Sequence, residues 1–256
     1  MDRAEVIGDH EPLVGVLDAL ASELTHVLEA VDEIAKEATA ILALPRWRRR
    51  QPPLAVLDPL EATARRHLEQ PGALVWGLGF VAEPKAFAGG GGLAWWQRSG
   101  PGGRVERLRV SLDPASVDFY DYTRAPWYTN ARDRGMNITG PYVDATGTDE
   151  YIVTTTRAVR IEDRFVGVAG ADVRVGSLQS TLQPLLVAIP AEASIVDGEG
   201  RVIVTNAPNL LAAVISETRA DDLIVEVPLA PWRLVVGRAG RSASSRARRR
   251  PGSTEG

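Results

Sequence analysis

The most regular pattern of apolar and polar positions lies near the amino terminus. Apolar residues recur there with alternating spacings of four and three, while charged residues fill the other positions. This repeat predicts one long helix with a continuous apolar seam. The helix is expected to end at Pro45, because a proline ring does not fit a helix interior. The seam consists of Leu13, Leu17, Leu20, Leu24, Val27, Val31, Ile34, Ala38 and Ile41.

Two uses of this seam stay open at the level of sequence. It could pack along the sheets of its own chain, or it could contact a second copy through residues 13–41. A mixture of the two is favoured, with a homodimer ahead of a monomer.

Downstream, short apolar and β-branched runs predict strands, with two short helices at 58–70 and 176–186. The pair Asp197-Gly198 between apolar runs is typical of a hairpin turn. The predicted strands are 74–81, 93–97, 104–110, 151–159, 165–173, 193–196, 201–205, 223–227 and 232–236.

These elements predict an α+β fold: a long helix, a larger antiparallel sheet and then a smaller one. The expected parts are the heptad helix at 1–45, a larger module at 46–180 and a smaller module at 181–237. The Arg-rich tail at 238–256 lacks apolar periodicity and is expected to be disordered. Its arginines fit a solubilising tail better than a nucleic-acid contact.

Composition and charge exclude several classes of protein. The chain has 256 residues, of which 45% are hydrophobic and 24% charged, as in ordinary globular proteins. A net charge of -4 argues against a nucleic-acid partner. Because the sequence has no cysteine, disulfides and thiolate chemistry are excluded. The charged start and the lack of a long apolar run predict a cytoplasmic chain with no membrane partner.

Motifs for catalysis are missing from the sequence. There is no Gly-x-Ser-x-Gly elbow, Walker loop or Rossmann fingerprint, and the three histidines lack metal-ligand spacing. We therefore predict no enzymatic activity, no cofactor and no metal. A hydrolase that uses Asp144 and Asp172 as an acid–base pair ranks well below a binding protein.

All five tyrosines lie between Tyr120 and Tyr151. Such rings combine an apolar body with a hydrogen-bonding tip, so their concentration predicts a site for a polar ligand with apolar parts. Asp172 lies in an otherwise apolar strand, where it either reaches solvent or awaits a cation, because a buried unpaired carboxylate is costly. Asp144 could equally be an ordinary turn residue.

The chain resembles the double Cache family, the tandem PAS-like ligand-sensing modules of bacterial chemoreceptors and sensor kinases. The likeness rests on Tyr-Asp-Tyr-Thr-Arg-Ala-Pro-Trp-Tyr at 120–128, Gly-Pro-Tyr-Val-Asp at 140–144, and the segments 167–172 and 194–202. It covers residues 13–237. The resemblance implies a double Cache fold, with two PAS-like antiparallel-sheet modules after the helix and a ligand site in the first module.

In amino-acid-binding members of this family, a tyrosine, an arginine and a tryptophan face the ligand carboxylate, while a later tyrosine and two aspartates hold the ammonium group. Matched in that order, the resemblance assigns these roles to Tyr120, Arg124, Trp127, Tyr142, Asp144 and Asp172.

One position departs from the family pattern. The family has its arginine directly before the proline, where this chain has Ala125, and Arg124 is the nearest candidate. In an extended segment, a shift of one residue turns a side chain to the opposite face. An amine without a carboxylate is therefore as plausible a ligand as an amino acid.

The resemblance thus implies a non-catalytic sensor of a small-molecule amine or amino acid that signals through an unidentified partner protein. Double Cache modules usually lie between membrane helices outside the cell. Since this sequence shows neither such helices nor an output domain, we expect a free-standing sensor. The alternative is a dimeric adaptor that binds a partner through its helix and Arg-rich tail and has a degenerate pocket.

Overall fold

A computed structural model describes residues 11–47, 49–100, 103–144, 150–208, 215–216 and 218–237. The helices are α1 (Glu11–Leu42), α2 (Leu60–Leu68), α3 (Pro126–Arg134) and α4 (Val175–Val187). Strands β1 to β6 are Val75–Ala82, Gly92–Arg98, Val105–Arg107, Met136–Val143, Tyr151–Ile161 and Arg164–Arg174. Strands β7 to β10 are Ala193–Val196, Val202–Thr205, Leu223–Glu226 and Arg233–Val236.

The strands form two antiparallel sheets. The larger has six strands in the order β3-β2-β1-β6-β5-β4, and the smaller has four in the order β8-β7-β10-β9. Sequential strands pair antiparallel in β1–β2, β2–β3, β4–β5, β5–β6, β7–β8 and β9–β10. The predicted α+β fold, a long helix followed by two antiparallel sheets, is confirmed.

The chain divides into two compact units. The larger is 23–177, and the smaller joins the first part of α1 to the described residues from 178 onward. Helix α1 begins in the smaller unit and ends in the larger. The domain boundaries expected from the sequence stay predictions, and the tail at 238–256 lies outside the described residues.

The apolar seam of α1 is buried within the chain's own fold. In the larger unit, Glu33 also pairs with Arg66 and His67 of α2 at 2.5 and 2.7 Å, and Asp32 pairs with Arg157 of β5. A homodimer through residues 13–41 would have to use the remaining polar face, and it stays a prediction. The buried seam residues are Leu13, Leu20, Leu24, Val27, Val31, Ile34 and Ala38.

Helix α3 and strand β4 were not predicted from the sequence. The segment before Trp127 was treated as extended, whereas the structure has a 3-10 helix at Tyr122–Arg124 followed directly by α3. Pro126 at the first helical position and Gly135 at the end, with a φ of 89°, are ordinary helix boundary signals. The helix has only nine residues and a weak apolar period, so apolar periodicity does not predict it.

Among the described helices, none combines the length and the apolar character needed to cross a bilayer.

Candidate functional site

One face of the larger sheet carries the candidate site. Asp172 on β6 lies opposite Gly77 on β1 and opposite Thr154 on β5. On the next strand, Trp95 of β2 lies opposite Gly79 of β1. Directly opposed residues of an antiparallel pair project to the same side, and alternate residues share a face. The aspartate, the threonine and the tryptophan therefore project from the same face.

Aromatic residues around α3 cover this face. The rings of Tyr122 and Tyr128 meet edge to face with centroids 5.4 Å apart, and those of Trp127 and Tyr128 meet similarly at 5.9 Å. The Tyr122 hydroxyl donates to the Ala82 carbonyl at 2.8 Å and accepts from the Gly92 N–H at 3.0 Å. These contacts anchor the aromatic wall to β1 and to the start of β2.

A small cavity lies between the sheet and this wall. Its limited room favours a ligand of few atoms. Every predicted site residue except Arg124 lines it. The lining residues are Val81, Leu93, Trp95, Leu108, Tyr120, Trp127, Tyr142, Asp144, Thr154 and Asp172.

Asp172 belongs to a short chain of hydrogen bonds. The Thr154 hydroxyl donates to Asp172 Oδ1 at 2.7 Å, and the Tyr142 hydroxyl lies 2.7 Å from the same threonine oxygen. Because a threonine has one hydroxyl proton, Tyr142 must be the donor to Thr154 when Thr154 donates to Asp172. The lone pairs of the Tyr142 oxygen are then left to accept from a ligand.

Asp144 follows β4 and is also buried, with 8% of its surface exposed. Its backbone N–H donates to the Glu150 carbonyl at 3.0 Å. The Tyr120 hydroxyl donates to Asp144 Oδ1 at 3.5 Å, which is a long hydrogen bond. Asp144 thus lines the cavity from the end of β4 and is not an exposed turn residue.

The site is acidic and desolvated. Burial raises the pKa of Asp172 to about 7; the Thr154 hydrogen bond opposes this shift and the charge of Asp144 adds to it. Burial, followed by the charges of the aspartates, also raises the pKa values of Tyr120 and Tyr142, so both phenols are neutral at physiological pH. Of the described residues that line the cavity, none carries a positive charge.

The structure does not bring Arg124 to the other predicted residues. Arg124 ends the 3-10 helix and is exposed, while Ala125 is extended and caps α3. The chain changes direction between the two residues, so a shift of one position puts the guanidinium in solvent. The predicted role of Arg124 in carboxylate capture stays a prediction without support from this geometry.

Trp95 and Thr154 line the cavity but were not predicted from the sequence. Trp95 has an equally apolar neighbour, Trp96, which projects to the other face and lies under the Arg107 guanidinium at 5.5 Å. No sequence pattern distinguishes two adjacent tryptophans that are both buried. In the described part of the chain, no group of three or more histidines and carboxylates is arranged to hold a metal.

Comparison with known proteins adds a family model and a set of shared folds. Residues 105–180 match the model of the methyl-accepting chemotaxis protein-like, first PDC sensor domain. The methyl-accepting chemotaxis protein PscA of Pseudomonas syringae pv. tomato is 29% identical over 99 residues, which are 38% of this chain and 16% of that protein. The matched segment therefore spans less than a fifth of this relative.

Solved structures with the same fold include ligand-binding domains of chemoreceptors. Methyl-accepting chemotaxis protein X gives a TM-score of 0.61 at 19% identity, covering 92% of this chain and 98% of that one. The PctC ligand-binding domain of Pseudomonas aeruginosa PAO1, solved with GABA, gives 0.52 at 22% identity, covering 89% and 98%. The CtaA ligand-binding domain of Pseudomonas fluorescens, solved with L-valine, gives 0.54 at 14%, covering 89% and 91%.

At these identities, the structural matches establish the fold alone. Together with the family model over 105–180, they confirm the predicted resemblance: the chain has the fold of a Cache/PDC-type sensing domain.

Proposed function

We propose that the chain is a ligand-sensing domain that binds a small amine-containing molecule in the cavity of its larger sheet. The observation that carries this proposal is Asp172, a buried carboxylate in a cavity where no described lining residue is cationic. Its described side-chain hydrogen bond comes from the neutral Thr154 hydroxyl, and a buried carboxylate without a positive partner is costly. A cationic ligand would supply that positive charge.

The lining offers each element that an ammonium group needs. An ammonium has three N–H donors, and the carboxylates together with the Tyr142 oxygen supply acceptors for them. Trp127 and Tyr120 add aromatic rings to the lining, whose faces attract cations. The apolar part of the ligand would then contact Val81 and Leu93.

The choice between an amino acid and a simple amine depends on the carboxylate side. PctC was solved with GABA and CtaA with L-valine, each of which carries both an ammonium and a carboxylate. In this chain, the arginine that would bind a carboxylate is exposed. The geometry therefore favours an amine over an amino acid, and signalling would pass to a partner protein.

Thermal unfolding against a panel of amines and amino acids tests the proposal. A ligand that binds only the folded state stabilises it by about 2.7 kcal/mol at a hundred times its Kd. We expect the melting temperature to rise by several degrees with at least one amine. No rise across the panel would favour the adaptor with a degenerate pocket.

A matched pair of variants locates the effect. Asp172→Asn is expected to abolish the ligand-dependent rise while the protein still unfolds cooperatively. Asp197→Asn alters another buried aspartate, which lies in the turn between β7 and β8 and accepts hydrogen bonds from the Glu199 and Arg201 N–H groups. This control should lower the melting temperature and leave the ligand-dependent rise intact.

A further inference from the structure

Trp95 lines the cavity and carries a hydrogen-bond donor without a described partner. Its side chain lines the cavity and is 4% exposed, and its indole Nε1 has no hydrogen-bond partner among the described residues. A buried donor without an acceptor costs about 1–3 kcal/mol, and such donors are rare in folded proteins. An acceptor from outside the chain would remove this cost.

Two glycines place this donor beside Asp172. A Cβ on Gly77 would lie 2.7 Å from Trp95 Nε1 and 3.3 Å from Asp172 Oδ2. A Cβ on Gly170 would lie 3.4 Å from the far end of the indole ring, at Cη2. The ring therefore lies over both glycines, with its N–H end next to the carboxylate. One donor and one acceptor of the protein border the same space.

The negative charge of the cavity determines which kind of ligand group can accept a hydrogen bond from Trp95. Asp144 and Asp172 both line it, and no described lining residue is cationic. A ligand carboxylate beside them would be repelled, since like charges in a desolvated site disfavour ionisation. A single neutral N–H is also a weaker anchor for a carboxylate than a bidentate guanidinium. A neutral oxygen meets neither difficulty.

We propose that Trp95 determines specificity by donating its Nε1–H to a neutral oxygen of the ligand, so that the site takes a small amine of the amino-alcohol type. The ammonium group lies against the carboxylates, and the oxygen accepts from the indole. This proposal rests on the proposed binding of an amine and adds the acceptor that the amine must carry.

Calorimetric titration with matched ligands tests the proposal in the unmodified chain. Ethanolamine and propylamine differ by a hydroxyl in place of a methyl group, and 2-methoxyethylamine and butylamine by an ether oxygen in place of a methylene. Each oxygen-bearing amine should bind about five- to tenfold more tightly than its alkyl counterpart. The ether oxygen only accepts, so its preference identifies the protein as the donor. Glycine should bind more weakly than ethanolamine.

The variant Trp95→Phe removes the N–H and keeps an aromatic ring. The preference for each oxygen-bearing amine should fall to about one, since the hydrogen bond is lost, while propylamine still binds. Trp96→Phe is the matched control, because its Nε1 is also buried without a described partner but projects from the other face. This variant should keep the full preference.

The outcomes separate this proposal from the proposed function. Alkylamines that bind as tightly as the oxygen-bearing amines would overturn the role of Trp95 and leave amine binding standing. A preference that survives in Trp95→Phe would do the same. Glycine binding more tightly than ethanolamine would overturn the proposal that the acceptor is a neutral oxygen. Failure of every amine to bind would overturn both proposals.

Discussion

The protonation state of Asp172 should depend on whether an amine is bound in the cavity. Its carboxyl has a pKa of about 7, raised by burial, and the ionisable groups that bear on it in the cavity are Asp144, Tyr120 and Tyr142. Without a ligand, this carboxyl holds its proton below neutral pH. A bound ammonium favours the ionised form. Binding an amine below pH 7 should therefore release a proton from Asp172.

Amine affinity is expected to depend on pH in a defined direction. It should rise about tenfold per pH unit well below pH 7, because one proton is displaced, and level off between pH 7 and 8.5. Calorimetric titration at pH 5.5, 6.5, 7.5 and 8.5, in buffers of different ionisation enthalpy, measures both the affinity and the released proton. An affinity that is flat from pH 5.5 to 7.5 would contradict the role of Asp172.

The stability of the ligand-free protein should depend on the same carboxyl, but it should fall as pH rises. The folded pKa of Asp172 is raised above its ordinary value of 3.8, so the unfolded chain loses this proton first. The contribution of Asp172 is present below pH 4 and is lost as pH rises through about 7, by about 1.4 kcal/mol for each unit between these limits.

Asp172→Asn removes that dependence. Denaturant unfolding at pH 4.5, 6 and 8 should show the variant gaining stability relative to the original protein as pH rises. Parallel pH profiles for the two proteins would show that Asp172 titrates normally and is not desolvated.

Gly77 keeps open the space between Trp95 Nε1 and Asp172 Oδ2. A Cβ there would lie within 2.7 Å of the indole nitrogen, so Gly77→Ala must displace the ring. We expect overpacking to cost about 1–3 kcal/mol and amine affinity to fall at least tenfold. Gly176→Ala is the control, because a Cβ there meets nothing within 4 Å. Unchanged affinity in Gly77→Ala would place the ligand elsewhere.

Among the elements, the aromatic wall depends on how α3 and its preceding turn are held. Tyr122 bonds both Ala82 and Gly92, and burial raises its pKa to about 12, so the phenol stays protonated and able to donate. Tyr128 donates to Glu83 at 2.8 Å. Both tyrosines anchor the wall through β1, the residue after it and the start of β2.

Tyr122→Phe should therefore lower stability rather than act on the ligand directly. Loss of the hydroxyl leaves the Gly92 N–H and the Ala82 carbonyl without this partner, at a cost of about 1–3 kcal/mol. Thermal unfolding checks the loss, and titration with the same amine should show affinity within about threefold of the original, because the hydrogen-bonded groups lie outside the lining. Loss of binding with unchanged stability would contradict the anchoring role.

The sequence predicted elements with strong periods better than contacts between strands. The seam of α1 was recognisable because apolar residues repeat over many turns, whereas nine-residue α3 has only Pro126 and Gly135 as boundary signals. Except for β4, which is not predicted, the predicted strands lie within a few residues of the observed ones. Their register was not predicted, since a bulge between Val159 and Arg160 shifts the pairing of β5 and β6. Counting back from the turn therefore misses Thr154 opposite Asp172.

The candidate site residues could be predicted from the family likeness but not from their spacing in the sequence. Tyr142 and Asp172 lie on different strands, and their approach through Thr154 depends on two register shifts in β4–β5 and β5–β6. The family motif identifies both residues as candidates without information on the strand register. It failed to bring Arg124 into the cavity, because one residue separates it from the family position.

For the whole molecule, the chain has the fold of Cache/PDC-type sensing domains, while its ligand, partner and assembly are proposals. The α1 seam is buried in its own chain, so a partner or a second copy would meet the polar face of this helix. The predicted cytoplasmic location stays a prediction. The proposed function requires that the cavity bind a cation between Asp144 and Asp172.

Calorimetric titration with ethanolamine and with ethylene glycol tests cation binding, since the two molecules are nearly equal in size and differ in the positive charge. We expect saturable binding of ethanolamine at pH 7.5, no saturable binding of ethylene glycol, and loss of ethanolamine binding in Asp172→Asn. Equal binding of the two molecules, or ethanolamine binding that persists in Asp172→Asn, would contradict the proposed cation binding.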